Sequence, residues 1–424
     1  MKEKLGIFSI MLLGVNAIIG SGIFLIPNKV AAIVSNASIW VILFDAFLVL
    51  CLALCFAEMS ARFKKNGGAY LYARAAFGEF LGFEVGLMKW IVSISSWAAL
   101  SVALATVFGK VFPALDSEVI RPFLAVFFII LLVIVNIKGL NMTKIVNNTL
   151  TISKLVPLFI FIVIGIFFLN LENIKIASPF NIEVSKFSSA ILLMFYAFTG
   201  FESLSIAAGE MENPQKNLPR VITAVIVFVS TFYILIQMVA TSALGNELAS
   251  TSSPLASAFG QMVGSWGEQF ILIGSLISIG GINVAVSFFT PRLAQALGED
   301  GYLPEQLGKR NSNGTPVNAI LISALLAIPL ALSGSFTQIA AINVIVRFGQ
   351  YIPTCLAVLV MRKKDGPAPG FTIPAGPIIP LIAVAASIWV LFHTPSNKLL
   401  IGFGAVLLGS PLYLLVKKQQ KNNG

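Results

Sequence analysis

The chain has 424 residues, 57% of them hydrophobic and only 11% charged, with a formal net charge of +10. Soluble domains carry nearer about 25% charged residues, so a soluble enzyme or nucleic-acid-binding domain is excluded. A spanning helix needs about 20 mostly apolar residues, and such stretches follow one another along nearly the whole chain, leaving no room for a separate soluble domain.

About twelve spans are expected, at roughly 7–33, 37–60, 80–108, 119–137, 146–170, 188–209, 219–244, 266–290, 316–333, 336–361, 377–393 and 398–416. The first is too long for a cleavable signal peptide, and no small-residue cleavage site precedes a hydrophilic region. It contains "GVNAIIGSGIF", Gly14 to Phe24, with Gly20-Ser21-Gly22 at its centre. Unsatisfied backbone in hydrocarbon costs several kcal/mol per group, so irregular backbone survives there only where it lines a cavity or is buried in protein. The glycines therefore predict either a helix broken at mid-membrane or a small-residue packing face between helices. A break would expose amides at the start of its second half, an anion site. It would also expose carbonyls at the end of the first half, suited to an ammonium or metal cation. A ligand with carboxylate and ammonium side by side, an α-amino acid, matches both ends.

The second span carries Asp45 and is followed by a basic, Gly-Gly and aromatic segment that reads as interfacial. The third carries Glu84 and Lys89, read as a pair near its cytoplasmic end, with Ser96 and Trp97 higher up. The fifth holds Lys154, about ten residues past Lys144. That is roughly 12–15 Å along a helix, too far for easy snorkelling to the interface. Intramembrane charges are costly and mark functional positions by default. The sixth span repeats the signature of the first. In "MFYAFTGFES", Met194 to Ser203, a glycine falls in mid-helix beside Thr199 and Glu202. Interrupted segments at corresponding positions of two halves point to an inverted-repeat transporter. In the following loop, Pro219 suits the first turn of the seventh helix. Arg347 lies near the middle of the tenth span, with Asp45 as one available partner.

Inside loops and termini carry nineteen of the Lys and Arg residues and outside loops six, which places both termini in the cytoplasm of a multi-pass cell-membrane protein. The three cysteines all fall within spans and form no metal pattern. No P-loop, zinc motif, nucleophile elbow or selectivity filter occurs, which disfavours an enzyme, an ATP-driven pump or a channel. No cofactor or nucleic acid is expected. The expected partners are an amino acid, the lipid bilayer and protons, with the chain a monomer or weak oligomer.

"NAIIGSGIF", "FYAFTGFES" and "GEMENPQKNLPR" together resemble the amino acid–polyamine–organocation superfamily of secondary transporters, and the resemblance covers most of the chain. It implies an all-α fold of about twelve helices, a five-plus-five inverted repeat of the leucine-transporter type with helices one and six broken. In a single domain, 1–424, repeat one would cover about 7–170, repeat two about 186–361, and two extra helices about 377–416. By the same resemblance the amides of Ser21, Gly22 and Ile23 would bind the substrate carboxylate. The carbonyls of Ile18, Tyr196 and Thr199 would receive its ammonium, and the Tyr196 ring would cover it. Glu202 matches the acid that follows the glycine of the second break, as a gating group or a brace. Lys154 looks like a fifth-helix lysine that replaces a sodium ion. It would bridge the first helix near Gly14 or Val15 to the eighth at Ser275 and Ser278, with an ion pair to Glu84 as the alternative. The implied activity is sodium-independent transport of small or medium neutral amino acids, with proton symport and exchange both open. A cationic amino acid or polyamine exchanger is the alternative.

Overall fold

The computed structural model describes residues 6–63, 68–138, 144–174, 178, 182–202, 204, 211–312, 314–333, 335–394, 396, 399–400, 404, 411 and 413. Regular structure among them is helical. The first apolar segment is divided into α1 (Ile7–Ile18), α2 (Ser21–Leu25) and α3 (Pro27–Val34). There follow α4 (Ser38–Arg62), the short α5 (Ala69–Phe77), α6 (Glu79–Val111), α7 (Ile120–Ile137), α8 (Lys144–Phe167) and α9 (Val184–Phe198). The second half holds α10 (Pro214–Leu244), α11 (Pro254–Val263), α12 (Ser265–Glu299), α13 (Val317–Ser333), α14 (Phe336–Asp365) and α15 (Ile378–Phe392). Six helical stretches are long and apolar enough to cross a membrane, and five shorter apolar helices accompany them. Most of the expected last span, 398–416, lies outside the described residues, as does Glu210 of the loop after the sixth.

Two boundaries differ from expectation. Pro214 opens α10 at its first turn, so Pro219 lies inside the helix. Its missing amide leaves the Gln215 carbonyl without its intrahelical donor, and one turn on Thr223 Oγ1 donates back to the Pro219 carbonyl at 3.0 Å. Likewise α12 runs on past Pro291 to Glu299, beyond the expected end near residue 290.

The bundle is built around α6, against which α12, α14, α7 and α13 pack, while α4 packs against both α10 and α9. The outer surface is apolar. On α7, Phe123, Phe127, Ile130 and Ile134 are exposed at helical spacing, as a lipid-facing stripe requires. On α8 the same logic sorts the helix into two faces. Ile152, Val156, Phe159 and Val163 point outward, whereas Lys154, Leu158, Phe161 and Ile162 are buried. Lys154 thus shares the inward face with three apolar side chains. Pro157 locks this helix to α12: a Cβ on Gly274 would stand 2.5 Å from the Pro157 ring, so only glycine permits the approach.

Candidate substrate site at two opened helical turns

Both glycine-containing segments are interrupted. α1 ends at Ile18, Gly20 adopts φ −137° and ψ −145°, and α2 starts at Ser21 with no side chain capping it. The first amides of a helix have no intrahelical acceptor. Ser21, Gly22 and Ile23 are buried, so these donors sit away from bulk water. In the sixth apolar segment α9 stops at Phe198, Thr199 is extended (ψ 152°), and Gly200 takes φ +115°.

The two openings touch. A Cβ on Gly200 would lie 2.1 Å from the Ala17 carbonyl oxygen, and one on Gly22 would lie 2.6 Å from Ala197 Cα. Glycine is required at both places by close backbone approach, and at Gly200 by the left-handed conformation as well. Gly14, by contrast, faces Leu204 and Val225 side chains, a packing contact.

Opening a helix frees carbonyls that must find donors. Lys154 supplies the first set: its Nζ donates to the carbonyls of Asn16 at 2.7 Å and Ile19 at 2.6 Å, and its side chain is almost fully buried. Hydrogen bonds to charged groups contribute about 1.5–3 kcal/mol each. The ammonium thus holds the end of α1, but at Asn16 and Ile19, whereas Gly14 and Val15 were expected. The Val15 carbonyl accepts the Ile19 amide instead. The expected link to the eighth helix is absent too, since Ser275 Oγ donates to Ile271 O and Ser278 Oγ is buried without a partner. At the second opening, the Tyr196 carbonyl accepts both the Thr199 amide (3.2 Å) and Thr199 Oγ1 (2.7 Å). Tyr233 of α10 donates to the Ala197 carbonyl at 2.9 Å and packs edge-on against Phe198. The Tyr196 ring is buried edge-on against Phe336.

Beyond the second opening lies a buried polar network that the sequence did not reveal as a unit. One oxygen of Glu202 accepts from Arg347 and, at 3.1 Å, from Lys89; the other accepts from Tyr351 and from the Gly200 amide, each at 3.1 Å. Arg347 Nε donates to Asn343 Oδ1 at 2.8 Å, and its Nη2 to Ser96 Oγ at 3.3 Å. Asn343 in turn donates to Val92 O, Ser95 Oγ and Ser96 Oγ. Two expected pairings are thereby corrected. Arg347 pairs with Glu202, while Asp45, fully buried, has neither carboxylate oxygen hydrogen-bonded. Lys89 also pairs with Glu202, reaching across from α6 to the opened turn, so the local pairing with Glu84 is not the one formed. The shared mid-membrane depth of Glu202 and Arg347 was the available signal. Trp97 is buried completely, with its indole nitrogen unpartnered.

Removing the Glu202 charge while keeping its shape leaves two buried cations without their carboxylate. Breaking a buried pair in this way costs about 3–5 kcal/mol. Glu202→Gln should therefore lower the thermal midpoint of the detergent-solubilized protein sharply. Asp45→Asn, at a carboxylate that no side chain holds, should shift it far less.

A sequence model described as amino acid permease matches residues 5–407. The chain belongs to the amino acid permease family. It is 32% identical to an uncharacterized transporter of Mycobacterium tuberculosis over 418 residues, covering 91% of this chain and 86% of the relative. It is 30% identical to the serine/threonine exchanger SteT of Bacillus subtilis, covering 99% of this chain and 98% of the relative. A methylthioribose transporter of Bacillus subtilis is 26% identical, with 99% and 94% covered. This permease is thus a multi-pass membrane protein of the amino acid–polyamine–organocation superfamily, and its relatives are transporters.

Proposed function

We propose that this permease is a secondary carrier for small or medium neutral amino acids, working by alternating access and without sodium. The observation that carries the reading is the pair of opened turns in contact, one ending in carbonyls and the other starting with the uncapped amides of Ser21, Gly22 and Ile23. The amides suit a carboxylate. Thr199 already fills the Tyr196 carbonyl, so the ammonium falls to the carbonyls of Ile18 and Thr199, with Tyr196 contributing its ring. Lys154 serves as the fixed internal cation that holds α1 to α8, which removes the need for a bound metal ion. The arrangement fits five helices followed by five inverted ones and two more, with both termini in the cytoplasm and the chain in the plasma membrane.

The surplus of cations around Glu202 argues for a neutral over a cationic substrate, because Lys89 and Arg347 share its one carboxylate. The serine/threonine exchanger relative supports the same choice. The test is uptake of labelled serine, leucine and arginine into proteoliposomes, with and without sodium, a pH gradient and internal amino acid. Saturable uptake of a neutral amino acid, unchanged when choline replaces sodium and raised by a pH gradient or internal substrate, is expected. Sodium-dependent uptake, or preference for arginine, would overturn the reading.

A further inference from the structure

A cleft runs from Tyr70 and Asp300 at the α5 end of the bundle up to Lys89, Glu202 and Gln350. Its inner end is rich in donors and short of acceptors. Lys89 has three N–H donors, and among the described residues the side chain it donates to is Glu202. Its side chain keeps 18% of its surface exposed. Gln350 is 1% exposed, and its amide nitrogen is buried with no hydrogen-bond partner. A buried donor left unmade is costly, by an amount comparable to the desolvation of the group.

The charges point the same way. The network around Glu202 joins two cations, Lys89 and Arg347, to one carboxylate, and Arg347 makes its other bonds to the neutral Asn343 and Ser96. Among the described residues, one positive charge of this network therefore lacks a counter-charge in a buried setting, which a bound monoanion would supply. A carboxylate has the matching charge and two oxygens able to accept from separate donors. A phosphate dianion would overcompensate the surplus. At the mouth, burial and the nearby Asp300 charge push the Tyr70 phenol above its usual range, so it stays protonated and donates to Asp300 at 3.3 Å. Asp300 is exposed there, where solvent and salt screen its repulsion.

We propose that the inner end of this cleft is a second binding site, taking a carboxylate monoanion between Lys89 Nζ and Gln350 Nε2. It serves as a waypoint for the substrate carboxylate between the opened turns and the α5 face of the bundle. The waypoint role rests on the carrier reading, whereas the binding itself does not.

The test is calorimetric titration of sodium propionate into the purified full-length protein, with sodium chloride at equal ionic strength as the control. Propionate has the carboxylate but no ammonium, so it cannot use the carbonyl half of the zwitterion site, and the Gln350 and Lys89 variants assign its binding to the cleft. Saturable propionate binding is expected, weakened about tenfold or more by Gln350→Leu, as loss of one charge-assisted bond implies. Lys89→Met should abolish it, and chloride should give no saturable heat. Excess neutral substrate should compete with propionate if its carboxylate visits the site. No saturable propionate binding, equal binding by chloride, or affinity unchanged in Gln350→Leu would overturn the site. Propionate binding undiminished by excess substrate would overturn the waypoint and assign the site to free organic acids. Absent propionate binding with intact amino acid uptake refutes this inference alone. Intact propionate binding without amino acid uptake refutes the carrier reading alone.

Discussion

Lys154→Met should reduce transport about a hundredfold while leaving the protein folded. Methionine keeps the length of the lysine stem and its apolar contacts beside Leu158 and Phe161, but it has no donor for the carbonyls of Asn16 and Ile19. Each buried carbonyl left unsatisfied costs about 1–3 kcal/mol, and a barrier raised by nearly 3 kcal/mol slows turnover about a hundredfold. The cost falls on the geometry of the first opening, because those two carbonyls flank it. Loss of the buried charge offsets part of the stability cost, since desolvating an ammonium is itself unfavourable. The readout is therefore split: initial uptake rates in proteoliposomes fall steeply, and the thermal midpoint moves little. Wild-type rates from Lys154→Met would mean that the end of α1 needs no ammonium.

Gly200→Ala should be the most damaging single methyl among the described glycines. The added Cβ would stand 2.1 Å from a backbone oxygen, that of Ala17, which cannot swing aside as a side-chain tip can. The φ of +115° adds a conformational penalty of about 1–2 kcal/mol for any L side chain. Overpacking contributes typically another 1–3 kcal/mol. A loss of about 2–5 kcal/mol follows from these two sources, together with separation of the two opened turns and loss of uptake. Gly280→Ala is the control. It lies within α12, and its nearest neighbour, Leu104 Cδ1, would be 3.8 Å from the new methyl, an ordinary contact. Thermal midpoints of the two variants should differ widely, with Gly280→Ala near wild type.

These expectations show which parts of the molecule the chain announces on its own. Breaks in the first and sixth apolar segments were readable because glycine in mid-span needs a reason, and Gly20-Ser21-Gly22 and Gly200 both fall at the observed interruptions. The burial of Lys154 was readable from its depth, since its distance along the helix from the membrane edge exceeds the reach of its side chain. Its partners were not readable. Which carbonyls it meets depends on where α1 ends and how it is rotated, and the answer lies past Val15, at Asn16 and Ile19.

Arg347 shows the same limit more sharply. Periodicity and span position give depth in the bilayer but no azimuth around the bundle, so Asp45 and Glu202 were not separable as partners. Tertiary packing chose Glu202 and brought Lys89, Tyr351 and Asn343 to the same point. Proline also misled at one helix boundary: Pro219, expected in the first turn of its helix, lies inside it, because the helix already opens at Pro214.

On the proposed reading the two opened turns hold the zwitterion itself. A structure determined with a bound neutral amino acid tests it most directly. The substrate carboxylate should lie within hydrogen-bonding distance of the amides of Ser21, Gly22 and Ile23, with its ammonium at the carbonyls of Ile18 and Thr199. A substrate seated away from both openings, with residues 21–23 bonded only to protein groups, would contradict it.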